Sequence, residues 1–384
     1  MAVLVGVAGA VLCIITLWDV FETIILPRRI SRRVRLARLY YRGAWLLVSG
    51  AARRTRPGKL RERYLGFFGP LSLLLLFVLW GACLVVSFAL IHWAIASRFH
   101  LGAAPNFRTD LYFSGTTFFT LGLGDIAPQT RAGRFATVLE AGTGFGFLAV
   151  VIGYLPVIYQ AFSRREANIS LLDARAGSPP SASEVLARHG RDRSLSALGD
   201  WLRDWERWSA ELLESHLSYP VLAYFRSQHE NQSWLAALTT VLDTCALVIV
   251  GVEGGPVWQA KMTFAMSRHA LVDLAQVFNT PPRAPDPDRL PPRTLNQVRA
   301  NLAAAGVSLR EGEEAERRLA ELRRMYEPYV NSMAENLFLR VPPWLHPGGV
   351  MDNWQTSAWE RNPAAFASSP EPVLTRDSSE SAAD

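Results

Sequence analysis

The chain has little charge and little cysteine for its length. Only 19% of its 384 residues are charged, whereas 49% are hydrophobic, and this charge fraction is low for a soluble protein. The three cysteines lie far apart, so they predict neither a disulfide framework nor a metal site. No nucleophile–base spacing or metal-ligand motif appears either, which argues against an enzyme. The composition, with 12 Trp and 19 Phe, favours extensive membrane contact.

Lysine is nearly absent, and the positive charge is unevenly spread. Of the 40 basic residues only two are lysine, a bias that we take as a sign of a GC-rich bacterial genome. Residues 27–63 contain 13 basic residues and one acid. Residues 167–384, in contrast, carry a net charge of −6. The pattern predicts a basic membrane region at 1–166, a helical cytoplasmic domain at 167–367 and a disordered, Ser- and acid-rich tail at 368–384.

Three apolar stretches predict membrane-spanning helices at residues 3–26, 65–96 and 134–162. Each exceeds the roughly 20 residues that a helix needs to cross a bilayer. The first lacks the basic start of a signal peptide, and positive charge follows it instead. Because basic loops stay in the cytoplasm, we expect the amino terminus outside a bacterial plasma membrane. The domain after the third span is then cytoplasmic.

Residues 109–130, between the second and third spans, are too apolar for an ordinary external loop. We expect Thr109 to cap a short helix from Asp110 that enters the membrane and returns. Its carboxyl end, with a partial negative charge, would favour a cation at the membrane centre. Glycines at alternate positions in the following TTFFTLGLGD would let an extended strand turn its carbonyls toward one axis. Rings of such oxygens replace the hydration shell of potassium.

Residues 112–134, YFSGTTFFTLGLGDIAPQTRAGR, resemble the pore loop of the potassium-channel superfamily. The type is nearest to bacterial two-helix channels and to the pore repeats of two-pore potassium channels. The resemblance implies an all-α membrane protein with three spans, a re-entrant pore helix and a selectivity filter. It also implies a homotetramer that conducts potassium passively, with the permeant ion as the sole bound metal and no cofactor.

The resemblance assigns roles to individual residues. Those expected to coordinate the ion are Thr120, Leu121, Gly122, Leu123 and Gly124, and those expected to support the filter are Asp125, Phe119 and Thr117. Leu123 stands where the family usually has Tyr or Phe, and Phe119 stands where a second threonine is common. Conduction is therefore expected, while strict selectivity for potassium over sodium stays open.

The third span is expected to be the helix that lines the pore. Gly144 matches the position at which the family bends this helix, and Pro156 is a second candidate for the gate. Close helix packing is the alternative for Gly142 and Gly146. Glu140 either bonds the back of the pore loop or lies exposed at the outer end of the span.

The basic stretch from Arg28 to Arg63 predicts an interfacial helix that attracts anionic lipid. Trp45 and its neighbours would enter the cytoplasmic leaflet. A voltage sensor is not indicated, because only one span precedes the arginines, and tethering between two spans argues against nucleic acid. Asp19 and Glu22 are expected to pair with Arg28 or Arg29, or else to sense protons.

In the cytoplasmic domain, three tryptophans at helical spacing, Trp201, Trp205 and Trp208, predict a buried face rather than a ligand cage. Ser233–Val252 is either a buried helix or a fourth span, and Asp243 within it favours the buried helix. No Rossmann fingerprint appears, and neither the gating stimulus nor any ligand can be named. The alternative to a channel is a non-conducting membrane sensor built on the same scaffold.

Overall fold

The computed structural model describes residues 1–26, 35–56, 58–95, 106–191, 195–229, 231–347 and 352–355. These residues form helices and no strand. The α-helices are α1 Ala2–Val20, α2 Leu36–Arg54, α3 Lys59–Ala94, α4 Phe107–Phe118, α5 Arg131–Ala176, α6 Ala182–Arg191, α7 Leu195–Ser218, α8 Trp234–Gly251, α9 Val257–Val277, α10 Pro292–Ala304, α11 Glu313–Arg324 and α12 Glu327–Leu337. The arginines from Arg28 to Arg33 and the tail at 368–384 lie outside the described residues.

The chain divides into two compact units. Unit 1 comprises Met1–Phe162 together with Ser215–Arg226, and unit 2 comprises Ser163–Glu214 together with Ser227–Asp384. The division falls inside α5 and again inside α7, so neither boundary coincides with the end of a helix.

Four helical segments in the described residues are long and apolar enough to cross a membrane: Ala2–Ile25, Leu60–Ala94, Arg131–Ala176 and Trp234–Gly251. The first three cover the spans predicted from the sequence. The fourth covers the ambiguous segment at 233–252, and 94% of its most apolar window is buried inside the protein. A helix so enclosed has almost no surface left for lipid, which favours its interpretation as a core helix of unit 2.

In unit 1, α1 runs antiparallel to α3 and packs closely against it. A Cβ placed at Gly9 would lie 2.7 Å from the Ser87 carbonyl oxygen, and one at Gly6 would lie 2.9 Å from the Cβ of Ala94. Such distances leave room only for glycine. The amino end of α1 therefore lies beside the carboxyl end of α3.

The buried carboxylate of Asp19 joins the end of α1 to the start of α2 and to the middle of α3. One of its oxygens accepts hydrogen bonds from the Ala37 amide in the first turn of α2 and from the Trp80 indole of α3, both at 2.9 Å. Arg35 approaches Glu22 at 3.4 Å. The expected partners Arg28 and Arg29 lie outside the described residues, whereas Asp19 supplies an acceptor to the otherwise unpaired start of α2.

The basic stretch contains a helix, α2, whose tryptophan is buried within unit 1. Trp45 is only 9% exposed, and its ring lies 5.0 Å from Phe68 of α3. Leu46 and Leu47 are 64% and 79% exposed instead. The expectation for Trp45 is wrong because aromatic packing within unit 1 takes up its ring.

In unit 2, α8 is the central helix, and α6, α9 and α11 pack around it. All of its residues from Trp234 to Val250 are buried. Trp201, Trp205 and Trp208 of α7 are at most 5% exposed, so the prediction of a buried aromatic face is confirmed.

Candidate functional site

The candidate pore helix, α4, begins three residues earlier than predicted. The side-chain oxygen of Asn106 accepts a hydrogen bond from the Arg108 amide at 3.1 Å and caps the first turn. Thr109, the expected cap, lies inside the helix, so that expectation is wrong. Asn is among the best capping residues because its short side chain reaches the free amides of the first turn.

After α4, every second residue from Thr120 to Gly124 has a positive φ value, the left-handed backbone conformation. Thr120, Gly122 and Gly124 have φ values of 57°, 54° and 76°, whereas Leu121 and Leu123 between them lie outside the positive-φ region. The segment is therefore not the extended strand expected from the sequence. Glycine adopts positive φ freely, while Thr120 does so at a cost of about 1–2 kcal/mol. The alternation lets consecutive carbonyl groups face the same side of the chain.

Hydrogen bonds to the end of α4 hold the start of this segment. The Leu121 amide donates to the Thr116 carbonyl at 2.8 Å, and the Thr120 amide donates to the Thr117 carbonyl at 3.0 Å. These bonds use carbonyl groups that a helix end would otherwise leave without partners. The left-handed turn at Thr120 is thus fixed by the helix before it.

The far end of the segment is tied to the middle of α4. The Tyr112 hydroxyl donates a hydrogen bond to the Asp125 carboxylate at 3.0 Å. Phe119 contributes no such bond, and its ring packs edge-on against Phe118 with centroids 5.2 Å apart. The segment from Thr120 to Gly124 is therefore bonded to α4 at both of its ends.

Residues Thr120–Gly124, the candidate filter and from here on the filter segment, are exposed in the single chain. All residues from Phe119 to Asp125 are exposed, and Leu121 and Leu123 are each 62% exposed. A strained backbone with apolar side chains gains little from facing water. The segment therefore presents two large apolar side chains on the surface of the single chain.

A buried polar cluster lies behind α4. Glu140 of α5 and His92 of α3 are both completely buried, with 3.1 Å between Glu140 Oε2 and His92 Nε2. The Ser114 hydroxyl of α4 also donates to Glu140. The sequence left two positions open for Glu140, behind the pore loop or exposed at the outer end of the span. In the structure Glu140 lies behind α4. The cluster joins α3, α4 and α5, and it leaves none of these three side chains without a partner, as buried polar groups require.

Gly144 is the glycine of α5 that permits a close approach. A Cβ at Gly144 would lie 2.1 Å from the carbonyl oxygen of Phe118, the last residue of α4. Gly142 and Gly146 have nothing within 4 Å of such a Cβ, so the packing role proposed for them falls on Gly144 instead. Pro156 lies within the continuous helix α5, further along the chain.

Residues 73–160, which include α4, the filter segment and their supporting helices, match the model of a family described as "Ion channel". This part of the chain, less than a quarter of its length, is thus similar to ion channels. A membrane protein of Bacillus subtilis (strain 168), printed as "Uncharacterized membrane protein YdjJ", is 25% identical to the chain over 187 residues. That match covers 47% of this chain and 53% of the relative, so the chain spans about half of the relative's length. No solved structure matches the chain significantly.

For two contacts within residues 73–160, the sequence indicated one partner and not the other: Asp125 was expected to support the filter and Glu140 to bond the back of the pore loop, while Tyr112 and His92 were not foreseen. Tyr112 and Asp125 are 13 residues apart, and His92 and Glu140 are 48 residues apart. A helical period would not bring either pair together. For His92 and Glu140, the signal in the sequence was a histidine and an acid inside apolar stretches, since ionisable residues at membrane depth are usually paired.

Proposed function

We propose that the chain is one subunit of a tetrameric channel for potassium, or for monovalent cations with weak selectivity, in a bacterial plasma membrane. The filter segment carries this proposal. Its backbone alternates in handedness at Thr120, Gly122 and Gly124, which suits carbonyl groups directed at one ion path. Its exposure in a single chain suits a ring that needs further copies.

Within this proposal, Thr120 to Gly124 coordinate the ion, and Asp125, Phe119 and Thr117 support them. Asp125 would hold the outer mouth through Tyr112, and Thr117 would fix the inner turn through its carbonyl. Gly144 and Pro156 are the proposed positions for a bend in α5. Because Gly144 lies against the end of α4, a bend there would also displace the base of the filter.

The proposed orientation places the amino terminus and the pore loop outside and unit 2 in the cytoplasm. Two observations support it. The basic stretch follows the first span, as cytoplasmic loops require, and the amino end of α1 lies beside the end of α3 that precedes the pore loop. In this orientation α2 presents Arg38, Arg42 and two exposed leucines at the cytoplasmic surface, where anionic lipid would bind.

Ion flux from liposomes that hold the purified full-length protein tests the proposal. Potassium and sodium gradients are applied in turn, at neutral, acid and alkaline pH, with Gly122→Asp as the control. We expect potassium flux that the variant loses, because a side chain at φ 54° is strained and its charge would block the ion path.

Each outcome assigns a function. Potassium flux with little sodium flux means that the filter is selective despite Leu123, and equal fluxes mean a weakly selective channel. A Leu123→Tyr variant should then raise the ratio of potassium to sodium flux. Silence of the wild-type protein at every pH would overturn the channel and favour the non-conducting sensor.

A further inference from the structure

One short stretch of the chain belongs to a different unit from the residues on either side of it. Residues 215–226, which we name the wedge, comprise the last four residues of α7 and the eight residues that follow it, and they belong to unit 1. Pro220–Tyr224 forms a turn of 3-10 helix within it. The chain enters the wedge from Glu214 and leaves it at Ser227, both of which belong to unit 2. The wedge is thus a piece of unit 1 connected at both ends to unit 2.

Aromatic side chains of the wedge pack against α2 and α3. The Tyr224 ring lies 4.8 Å from Trp45 of α2 and 5.1 Å from Phe68 of α3, measured between centroids. Phe225 lies over Gly69 of α3, where an added Cβ would be 2.7 Å from the Phe225 ring. Such contacts are both apolar and directional, so this side of the wedge is fixed.

The other side of the wedge packs against α5. The Tyr219 ring lies 5.6 Å from Tyr154, and the Phe225 ring lies 5.5 Å from Phe162. Leu222 is 1% exposed and belongs to the same buried cluster as Ile158 of α5 and Leu76 of α3. The wedge therefore fills the space between α3 and α5 over the part of α5 that contains Pro156.

This position matters because α5 is the proposed pore-lining helix and much of its surface is exposed. Only 17% of its most apolar window is buried inside the protein. Packed interfaces shift between discrete arrangements rather than deforming continuously. A change in how the wedge sits would consequently move the segment of α5 from Tyr154 to Phe162 relative to α3.

We propose that the wedge is a gating element, which sets the position of the inner half of α5 and so the conductance of the pore. This inference rests on the proposed channel function, and it gives unit 2 a gating role through one segment of the chain. A change in unit 2 would reach the pore through the two ends of the wedge, in addition to the direct connection along α5, which continues from unit 1 into unit 2. The ion path itself, at Thr120–Gly124, would be unaffected by it.

The experiment displaces the wedge from the α3 side. Gly69→Ala places a Cβ 2.7 Å from the Phe225 ring, whereas the matched control Gly66→Ala, one turn earlier in α3, meets nothing within 4 Å. Both substitutions raise helix propensity equally, so that effect cancels. We expect Gly69→Ala to change potassium flux at least about fivefold from wild type, in either direction, with the potassium-to-sodium ratio unchanged. Gly66→Ala should match wild type.

A double-mutant cycle separates displacement of the wedge from general damage. Phe225→Ala removes the ring that the new Cβ would meet, so adding Gly69→Ala to Phe225→Ala should change the flux little beyond the effect of Phe225→Ala alone. Equal fluxes for Gly69→Ala and Gly66→Ala would overturn the inference, and so would a double variant whose defects simply add.

Hydrogen exchange of the same full-length proteins gives a readout that does not depend on conduction. Gly69→Ala should speed exchange in α5 from Tyr154 to Phe162 and in the wedge, while α4 keeps its protection. Unchanged exchange in α5 would overturn the inference even in a conducting protein. If no protein conducts, wild type included, the channel function fails and the gating role fails with it, while exchange still decides whether the wedge holds α5.

Discussion

α5 and α8 have equally apolar centres but opposite surroundings. The mean hydropathy of the most apolar window is 1.8 in both helices, yet 17% of that window is buried in α5 and 94% in α8. α8 is enclosed by helices of unit 2 and acts as a core. α5 leaves apolar surface that lipid or further copies of the chain must cover. Hydropathy thus measures how apolar a helix is and does not tell which partner covers it.

Each of these helices also contains a buried acid, and the two acids differ in their partners. Asp243 of α8 pairs with Arg289, with 2.8 Å between Oδ2 and Nη2, and it accepts a hydrogen bond from the Tyr326 hydroxyl. Glu140 of α5 lies 3.1 Å from His92 Nε2 and accepts a hydrogen bond from the Ser114 hydroxyl. Burial works against the charge of Arg289, and the Asp243 carboxylate nevertheless raises the pKa of this guanidinium above its ordinary value. Asp243 and Arg289 thus form a buried pair within a folded core.

The largest effect is expected from Asp243→Ala. This change leaves the buried Arg289 with Glu327 as its remaining acidic partner, so the free energy of unfolding of unit 2 should fall by about 3–5 kcal/mol. Urea unfolding of the full-length protein in detergent, followed by tryptophan fluorescence, measures the loss.

Asp200→Ala is the control, because its pair with Arg203 has side chains that are 76% and 60% exposed. It should change stability by less than about 1 kcal/mol. A loss for Asp243→Ala no larger than this would mean that α8 is not the centre of a packed core.

A matched pair of leucine truncations tests the comparison directly. Leu242 of α8 is fully buried, and Leu148 of α5 is 52% exposed. Leu242→Ala should lower the free energy of unfolding by about 2–5 kcal/mol because it leaves a cavity. Leu148→Ala should cost less than about 1 kcal/mol in the same detergent assay. Equal losses would show that α5 is as enclosed as α8, through contacts with other copies.

The smallest effect is expected from Glu140→Gln. The amide retains an acceptor oxygen for Ser114 but replaces the oxygen that faces His92 by an NH₂ group, so we expect a loss of about 1–3 kcal/mol in the same unfolding assay. A double-mutant cycle with His92→Gln identifies the pair, since the combined loss should be smaller than the sum of the single losses. Additive losses would mean that the two side chains act independently.

Much of unit 1 could be predicted from the sequence because its signals are local. Apolar length indicated α1, α3 and α5, and the alternation of Gly122 and Gly124 indicated an unusual backbone after α4. The left-handed turn at Thr120 could not be predicted, because threonine rarely adopts it and hydrogen bonds to Thr116 and Thr117 impose it. The roles given to the filter residues stay predictions until flux is measured.

The sequence by itself determined the helical character, the positions of the apolar segments and the likeness to a potassium-channel pore, because each depends on neighbours a few residues apart. Only the tertiary structure decided that α8 is enclosed, that Gly144 contacts the end of α4, and that residues 215–226 pack in unit 1. These outcomes depend on side-chain volumes brought together from distant parts of the chain. The helical or strand periodicity of a segment does not specify which distant part of the chain that segment will pack against.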